Sequence, residues 1–326
     1  MGIQIFEKVY KIELPIPFPL KTTNVFFIDE PPRTLIDTGI KTEASFEALR
    51  KGLEEIGFSI QSIERMLLTH GHIDHYGQAK KIASMSGAPI YLHPKEYGRI
   101  RSIIHSFGLL RSILLRNGAP QALVSQIIHY IEAAQKMADP LEEALFLNDG
   151  DIIPFDSMTW KVIHCPGHSP GLLCFYWPEK EILFTGDHLL KEITPNPFLN
   201  MGEAGAPLSY PSLKEYLSSL RKIERYDLTL LLPGHGEEVR DPKGLIQSIL
   251  IHHKERMGQV VSSLLNGPKT PFEIAMDLFP DVPPFEVFLG ISEAVGHLEI
   301  LKEEGRVRVF EREGRDYYEL ESFQSF

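Results

Sequence analysis

The chain has 326 residues, of which 43% are hydrophobic and 24% charged, and its formal net charge is −11. This composition is typical of a globular protein with one large domain and one smaller domain, and it has no low-complexity tract. The acidic excess disfavours nonspecific binding to nucleic acid, which requires clustered Lys and Arg. It is still compatible with a local basic channel.

Cysteine content and apolar patterning indicate the compartment. Cys165 and Cys174 are the two cysteines of the chain, too few for a disulfide framework, and both are interpreted as packing residues. The first 20 residues contain acidic residues and prolines where a signal peptide needs an apolar run. No apolar stretch reaches the roughly 18 residues of a membrane span. A cytoplasmic protein without a membrane span is expected.

The first hundred residues alternate between strand and helix patterns. Short strands are predicted in VYKIEL, NVFFID and RTLID, followed by a helix in TEASFEALRKGLEEIG that ends at Gly57. The strand IERMLLTH, a helix ending at Gly87 and the strand APIYLH come next. This alternation favours an α/β or layered α+β core.

Residues 95–146 are predicted to form a helical insertion. Its first helix is crowded with large aliphatic residues: Ile103, Ile104, Leu109, Leu110, Ile113, Leu114 and Leu115. One interpretation is that this apolar stripe packs on the body of the protein. The other is that it forms a lid, with part of its surface as a wall beside the active site for a substrate with an apolar acyl arm.

Strands resume in DIIPF, TWKVIHC, GLLCFYWP, EILFTGD and LTLLLPGHG, with the helix YPSLKEYLSSLRKIERY before the last of them. Helices and a hairpin that turns at EREGR follow, which is the order of a winged helix. A boundary near Leu250 divides the chain into domains 1–250 and 251–326. Residues 253–326 contain 8 Lys and Arg against 14 Asp and Glu, a net charge of −6. This module is therefore interpreted as a packing or dimerisation unit rather than a nucleic-acid-binding one, so a homodimer is one expectation.

The segment LLTHGHIDHYG concentrates ionisable side chains at the end of a strand. His70 and His72 are two positions apart, and Asp74 and His75 stand where a helix should begin, so all four can face the same loop. Alone, such a cluster is also compatible with a solvated loop.

Three further strand ends each supply another imidazole or carboxylate. His168 follows a strand in HCPGHSPG, Asp187 follows one in LFTGD, and His235 follows one in LLPGHG. Small neighbouring residues allow the backbone to bend around a buried ion. Donors at four strand ends are hard to explain by packing, and they predict a metal site.

These motifs, in this order, resemble the metallo-β-lactamase fold superfamily. H-x-H-x-D-H begins at His70, and the early strand and turn LIDTG ends at Gly39. The resemblance implies an α+β fold of the αββα sandwich type. The tail is similar to the β-lactamase-like-protein-2 subgroup and its bacterial relatives.

The resemblance also implies a ligand set for two divalent metal ions. One ion would take His70, His72 and His168, the other Asp74, His75 and His235, and Asp187 would bridge them. Zinc is the default ion, with iron or manganese as alternatives for such nitrogen and oxygen donors. Asp74 and Asp187 are the predicted catalytic carboxylates.

Other polar residues receive secondary roles. His188 is a candidate for facing the substrate, and Tyr210 for donating a hydrogen bond to a developing oxyanion, although each also fits a structural role. Asp37 is interpreted as a residue that orients a ligand or a turn. His93 and His164 are expected to be structural, and His252 and His253 to lie on a helix surface.

Three functions are compatible with these motifs. The first is a dinuclear metallohydrolase that uses a metal-bound hydroxide on a small substrate with a thioester, lactone or other ester bond. The second is a metal-dependent ribonuclease, because the subgroup that the tail resembles includes one. The third is a mononuclear iron persulfide dioxygenase, which would dispense with the second-site ligands that His75 and His235 provide here.

Overall fold

Two β-sheets stack face to face, and helices cover both outer sides. The computed structural model describes residues 2–102, 107–199 and 211–321. The first sheet has seven strands in chain order: β1 (Gly2–Phe6), β2 (Val9–Pro15), β3 (Thr22–Ile28), β4 (Thr34–Ile36), β5 (Arg65–Leu67), β6 (Ile90–Leu92) and β7 (Leu145–Phe146). Strands β1 to β4 pair antiparallel, whereas β4 to β7 pair parallel.

The second sheet has five strands in the spatial order β12-β11-β10-β9-β8. Their bounds are β8 (Ile152–Pro154), β9 (Thr159–His164), β10 (Leu173–Trp177), β11 (Ile182–Gly186) and β12 (Leu230–Pro233). Only the β11–β12 pair in this sheet is parallel among the described strands, which places the loops after β11 and β12 at the same edge.

An aromatic core joins the two sheets. The rings of Phe26 and Phe184 meet edge to face with centroids 5.2 Å apart, and Trp160 stacks on Phe184 at 4.9 Å. All three side chains are buried. Such rings bury a large apolar area each, so this layer fixes how the sheets lie relative to one another.

The helices are α1 (Glu43–Glu55), α2 (Ile73–Tyr76), α3 (Ala79–Ser86), α4 (Pro94–Ser102), α5 (Phe107–Arg116), α6 (Gln121–Gln135), α7 (Ser212–Ile223), α8 (Pro242–Ser263), α9 (Pro271–Leu278) and α10 (Pro284–Glu303). Helices α1 and α3 pack on the outer face of the first sheet, and α7 with the first half of α8 on that of the second. The buried Cys165 and Cys174 belong to the second of these cores, which is the packing role that the sequence predicts. The predicted α+β sandwich is confirmed.

The predicted helical insertion also contains a short strand. Leu145 and Phe146 form β7, which pairs with β6 at the edge of the first sheet, whereas the sequence showed no strand signal there. Two residues are too few for a periodic pattern. Their pairing depends on backbone hydrogen bonds to a strand more than 50 positions away.

The C-terminal elements appear where the sequence predicts them. Thr270 and Glu273 form a reciprocal capping box at the start of α9. A hairpin of β13 (Val307–Arg312) and β14 (Arg315–Leu320) follows α10 and turns at Glu313 and Gly314, whose φ angles of 53° and 75° suit a type I′ turn. Assignment of these elements as a winged helix stays a prediction.

Helix α8 runs without interruption through the predicted boundary near Leu250. Its residues Ile246 and Ile249 pack with the second sheet, and Val260 packs with the C-terminal helices. One rigid element is therefore shared by two cores, and the division into 1–250 and 251–326 stays a prediction.

The insertion packs on the C-terminal helices. Leu110 and Leu114 of α5 and Ile127 of α6 share one buried cluster with Ile291 and Leu298 of α10. The aliphatic residues of the insertion therefore pack on the protein, as one interpretation expected, but their packing partners are the C-terminal helices. Ile103 and Ile104 lie outside the described residues.

The prediction that His253 lies on a helix surface is wrong. Its side chain is buried, with its ring 5.7 Å from that of Tyr216 and its Nδ1 3.3 Å from Nε2 of His297 on α10. Burial lowers the pKa of His253 to about 3, so the ring is neutral. Periodicity within α8 could not show this, because α10 covers a face that would otherwise be exposed.

Among the helices of the described chain, none combines the length and apolar composition that crossing a bilayer requires.

Replacing Leu114 by alanine should lower the free energy of unfolding by about 2–5 kcal/mol, because the fully buried side chain would leave a cavity between α5 and the C-terminal helices. Urea unfolding followed by circular dichroism measures this loss. Leu145→Ala is the matched control, since Leu145 is 48% exposed and should change the value by much less. Equal losses in the two variants would contradict the packing described here.

Candidate metal centre

The seven side chains predicted as metal ligands meet at one edge of the sandwich. The loop after β5 carries His70 and His72, α2 carries Asp74 and His75, and the segments after β9, β11 and β12 carry His168, Asp187 and His235. These side chains meet because they follow strands of both sheets whose ends lie at the same edge of the sandwich.

The first donor group consists of His70, His72, His168 and Asp187. Nδ1 of His72 lies 3.0 Å from Nε2 of both His70 and His168. Oδ2 of Asp187 lies 3.5 Å from Nε2 of His168 and 4.0 Å from Nε2 of His70. Ligand atoms about 2.0–2.1 Å from a tetrahedral ion stand roughly 3.4 Å apart, so this group fits a divalent cation.

The second donor group consists of Asp74, His75 and His235. Nε2 of His75 and Nε2 of His235 are 3.3 Å apart, and Oδ2 of Asp74 is 3.4 Å from Nε2 of His235. Asp187 reaches this group too, with Oδ1 3.4 Å from Nε2 of His75 and Oδ2 3.4 Å from Nε2 of His235. Its Oδ1 is buried without a hydrogen-bond partner, as expected of an oxygen that serves a cation.

Burial and charge divide the histidines into two classes. Burial lowers the pKa values of His70, His72 and His168, so these imidazoles are neutral donors. Burial also favours the neutral form of His235, but Asp187 and Asp74 outweigh it and raise the pKa of His235 to about 10. Two carboxylates in such a buried place require nearby positive charge, which protons or a divalent cation can supply.

Hydrogen bonds on the far side of the rings fix their orientation. Asp37 accepts from Nδ1 of His75 at 2.8 Å and from the backbone amide and hydroxyl of Thr69 at 2.8 and 2.7 Å. Nδ1 of His235 donates to the carbonyl of Thr22, and Nδ1 of His168 donates to that of Asn196. These contacts turn Nε2 of each of the three rings towards the site, the supporting role expected for Asp37.

Glu96 joins two of the ligand loops, and sequence reasoning missed it. Its carboxylate is fully buried and accepts from the amide of Gly71 at 2.8 Å and from that of Gly171 at 2.6 Å. Gly71 lies between His70 and His72, and Gly171 lies in the His168 loop. No sequence signal identifies this role, because the partners are backbone amides 25 and 75 positions away.

Asn24 and Gly234 hold the His235 loop. Nδ2 of Asn24 donates to the carbonyls of Pro233 and Gly236, both at 2.9 Å. A Cβ on Gly234 would lie 2.6 Å from Oδ1 of Asp187, so only glycine allows this loop to approach the carboxylate. The sequence showed small residues at this turn but not the contact that requires them.

One of the two further candidate catalytic residues, His188, does not reach the site. The hypothesis that His188 faces the substrate is wrong, because its side chain is fully buried, with its ring 5.3 Å from that of Tyr216 and away from the cavity. Tyr210 lies outside the described residues. His93 and His164, expected to be structural, stack with ring centroids 4.3 Å apart beside the donor groups without joining them.

A cavity of about 750 Å³ opens over the donor groups. His72, Asp74, His168, Asp187 and His235 line one side of it. The other side includes residues of α6, of α10 and of the segment between α9 and α10: Tyr130, Ile131, Phe279, Val282 and Leu289. The expected wall of α5 aliphatics is wrong for the described residues, since Leu109, Leu110, Ile113, Leu114 and Leu115 do not line this cavity.

The C-terminal helices are also bonded to a ligand loop. Asn196, whose carbonyl accepts from His168, donates from Nδ2 to the carbonyl of Leu289 on α10 at 3.0 Å. Phe198 lies edge-on to His72 and His168 with centroids 5.0 and 5.2 Å apart. Both the shape of the cavity and the position of His168 therefore depend on the C-terminal region.

Replacing Glu96 by glutamine should weaken metal binding by roughly 10- to 100-fold, the usual effect of losing a residue that supports a ligand. The amide keeps the shape but offers an NH₂ group to one of the two backbone amides, so one loop loses its acceptor. Competition with a chromophoric chelator measures the change. Glu142→Gln is the control, because Glu142 is 75% exposed and away from the site. Identical metal affinity in the two variants would contradict this role.

Comparison with known proteins supports the motif order and the fold. The family described as the Metallo-beta-lactamase superfamily matches residues 19–235. The probable metallo-hydrolase YqjP of Bacillus subtilis is 26% identical over 310 residues, which cover 91% of this chain and 93% of that protein.

The chain is also similar to a fungal thioesterase in sequence and to a bacterial protein of known structure. An atrochrysone carboxyl ACP thioesterase of Aspergillus fumigatus is 27% identical over 254 residues, covering 77% of this chain and 62% of that protein. A crystal structure of a metallo-beta-lactamase family protein from Thermus thermophilus superposes with a TM-score of 0.86 at 28% identity, covering 98% of this chain and 100% of that one. The match of the family to two thirds of the residues, together with the sandwich and its donor groups, shows that this chain belongs to the metallo-beta-lactamase superfamily.

Proposed function

We propose that the protein is a dinuclear metal-dependent hydrolase of acyl esters or thioesters. The observation that carries this proposal is the position of Asp187, whose two oxygens lie within 4.0 Å of ring nitrogens in both donor groups. A carboxylate placed in this way can be shared by two cations.

The assignment of ligands follows the two donor groups. His70, His72 and His168 would hold one ion, Asp74, His75 and His235 the other, and Asp187 both. Neutral imidazoles retain the charge of a divalent ion, and oxygen and nitrogen donors suit zinc first, with iron or manganese as alternatives.

Two such ions, when bound, polarise a carbonyl and lower the pKa of a coordinated water towards about 7. The chain supplies the remaining requirements. Asp74, only 15% exposed, reaches the edge of the cavity and can accept a hydrogen bond from the attacking water, which orients it. Asp37 holds the ring of His75 while charge changes nearby.

An ester-type substrate is supported by the walls of the cavity and by one relative. The side that faces the donor groups includes Tyr130, Ile131, Phe279, Val282 and Leu289 beside a few charged residues, and this mostly apolar surface suits an acyl arm better than a polyanion. The Aspergillus fumigatus relative is named a thioesterase. Residues 253–326 carry a net charge of −6, which disfavours RNA.

Several finer assignments accompany this proposal and come from the sequence. They are a winged helix in residues 251–326, its use in packing or in a homodimer, and a cytoplasmic location. Each stays a prediction.

Metal analysis of purified protein should find two transition-metal ions per chain, and Asp74→Ala should reduce this number to one and abolish turnover with the fold intact. Asp74 should hold the second ion and orient the nucleophile, so its loss affects chemistry rather than packing. Asp227→Ala, at an exposed carboxylate, is the control. One ion in the wild-type protein would favour the mononuclear dioxygenase, and wild-type kcat in Asp74→Ala would remove the assignment.

A substrate panel tests the reaction class. Metal-loaded protein should hydrolyse acyl thioesters and esters with kcat/KM values at least about tenfold above those for phosphodiesters and RNA, because apolar side chains line much of the described cavity beside the donor groups. Metal-dependent RNA cleavage without thioester turnover would place the ribonuclease first. Oxygen consumption with a persulfide would place the dioxygenase first.

A further inference from the structure

The wall of the cavity that the C-terminal helices form contains a half-buried arginine. Arg256 lies on α8, its side chain is 16% exposed, and it lines the cavity together with the residues of the metal centre. Its guanidinium carbon lies 4.6 Å from the ring centroid of Phe279, which stacks the planar group against an aromatic face. Nη1 donates to Oε1 of Gln259 at 2.8 Å.

The charge of Arg256 is incompletely compensated. The nearest carboxylate oxygen, Oε1 of Glu293, lies 3.7 Å from Nε, too far for a hydrogen bond, and Nε is buried without any hydrogen-bond partner. Glu293 is 6% exposed, and burial raises its pKa to about 7 against the opposing effect of Arg256. At neutral pH this carboxyl is therefore partly protonated and gives the guanidinium only partial neutralisation.

A half-buried cation without a full counter-charge favours binding of a ligand that supplies one. Apolar residues line the cavity around it, with Phe279, Val282 and Leu289 on the C-terminal side. Phe198 continues this surface towards the metal centre, where its ring meets those of His72 and His168. Metal donors, an apolar surface and the guanidinium of Arg256 thus share a single space.

We propose that Arg256 binds a carboxylate at the far end of the substrate's acyl arm, so that the substrate is a thioester or ester of a dicarboxylic acid. This inference rests on the hydrolase function proposed above and names its substrate class. Arg256 is then a specificity-determining residue contributed by the C-terminal region.

A carboxylate fits better than a phosphate for two reasons. The guanidinium fork matches a planar carboxylate in two parallel hydrogen bonds and equals it in charge. A phosphate dianion would leave a second negative charge near Glu286 and Glu293, which line the same cavity. Arg99, which also lines the cavity, donates to Glu96 at 3.2 Å and supports the ligand loops.

Thioesters of N-acetylcysteamine in two matched series test the proposal: succinyl, adipoyl and suberoyl against butyryl, hexanoyl and octanoyl. Wild-type protein should favour the carboxylated member of at least one pair. In Arg256→Met, which keeps an apolar contact with Phe279, the ratio of kcat/KM between the carboxylated and the neutral member should fall roughly 10- to 100-fold, mainly through KM. Arg256→Lys should retain part of the preference.

Lys254→Met is the matched control, because it removes one positive charge from an exposed position of the same helix. Its ratio should equal that of the wild type. An unchanged ratio in Arg256→Met, or an equal fall in Lys254→Met, would overturn the proposal. Circular dichroism and metal content of each variant confirm that fold and centre are intact.

Binding of free acids separates this inference from the proposed function. Suberate and octanoate can each present one carboxylate to the metal ions, and only suberate has a second for Arg256. Calorimetry with the metal-loaded protein should show tighter binding of suberate, with the difference lost in Arg256→Met. If no thioester is hydrolysed, the hydrolase function fails, and this calorimetric difference alone decides the proposal: its presence supports the site and its absence overturns it.

Discussion

The carboxylate of Asp187 is the point on which the arrangement of this protein depends. Its two oxygens lie within 4.0 Å of ring nitrogens from loops that belong to both sheets, and one of them has no hydrogen-bond partner among the described residues. A buried carboxylate so placed is unfavourable without positive charge beside it. This charge stays in place because the two sheets pack closely, the neighbouring imidazoles surround it, and glycine at position 234 leaves room for it.

Hydrogen bonds from residues outside the donor groups hold the donor side chains and their loops in position. Asp37 extends from the end of β4 to the ring of His75, and Glu96 ties the backbone of one ligand loop to that of another. These contacts use backbone amides and ring nitrogens that face away from the site. Such residues tune a metal centre without touching it, and their loss weakens the centre through geometry rather than chemistry.

The C-terminal region contributes to the site as well as to the fold. Helix α8 spans two cores, and α10 accepts a hydrogen bond from the segment that orients His168. One wall of the cavity comes from α8, α10 and the segment that precedes α10. The acidic charge of residues 253–326 disfavours nucleic acid and agrees with the small substrate proposed above. The aliphatic insertion serves the same arrangement, because α5 and α6 pack against these helices.

From the sequence alone, periodicity and glycine at turns predicted the order of most strands and helices, and histidines and carboxylates at strand ends pointed to the seven candidate donor residues. The sandwich itself was implied by the resemblance of these motifs to a known superfamily. Only the tertiary structure decided which side chains lie next to each other across the chain. Glu96 and Asn24 act on distant backbone atoms, His188 and His253 are buried by helices far away in sequence, and the cavity wall comes from α6 and the C-terminal helices instead of α5. These contacts arise from packing between remote segments, and a local pattern carries no information about what will cover it.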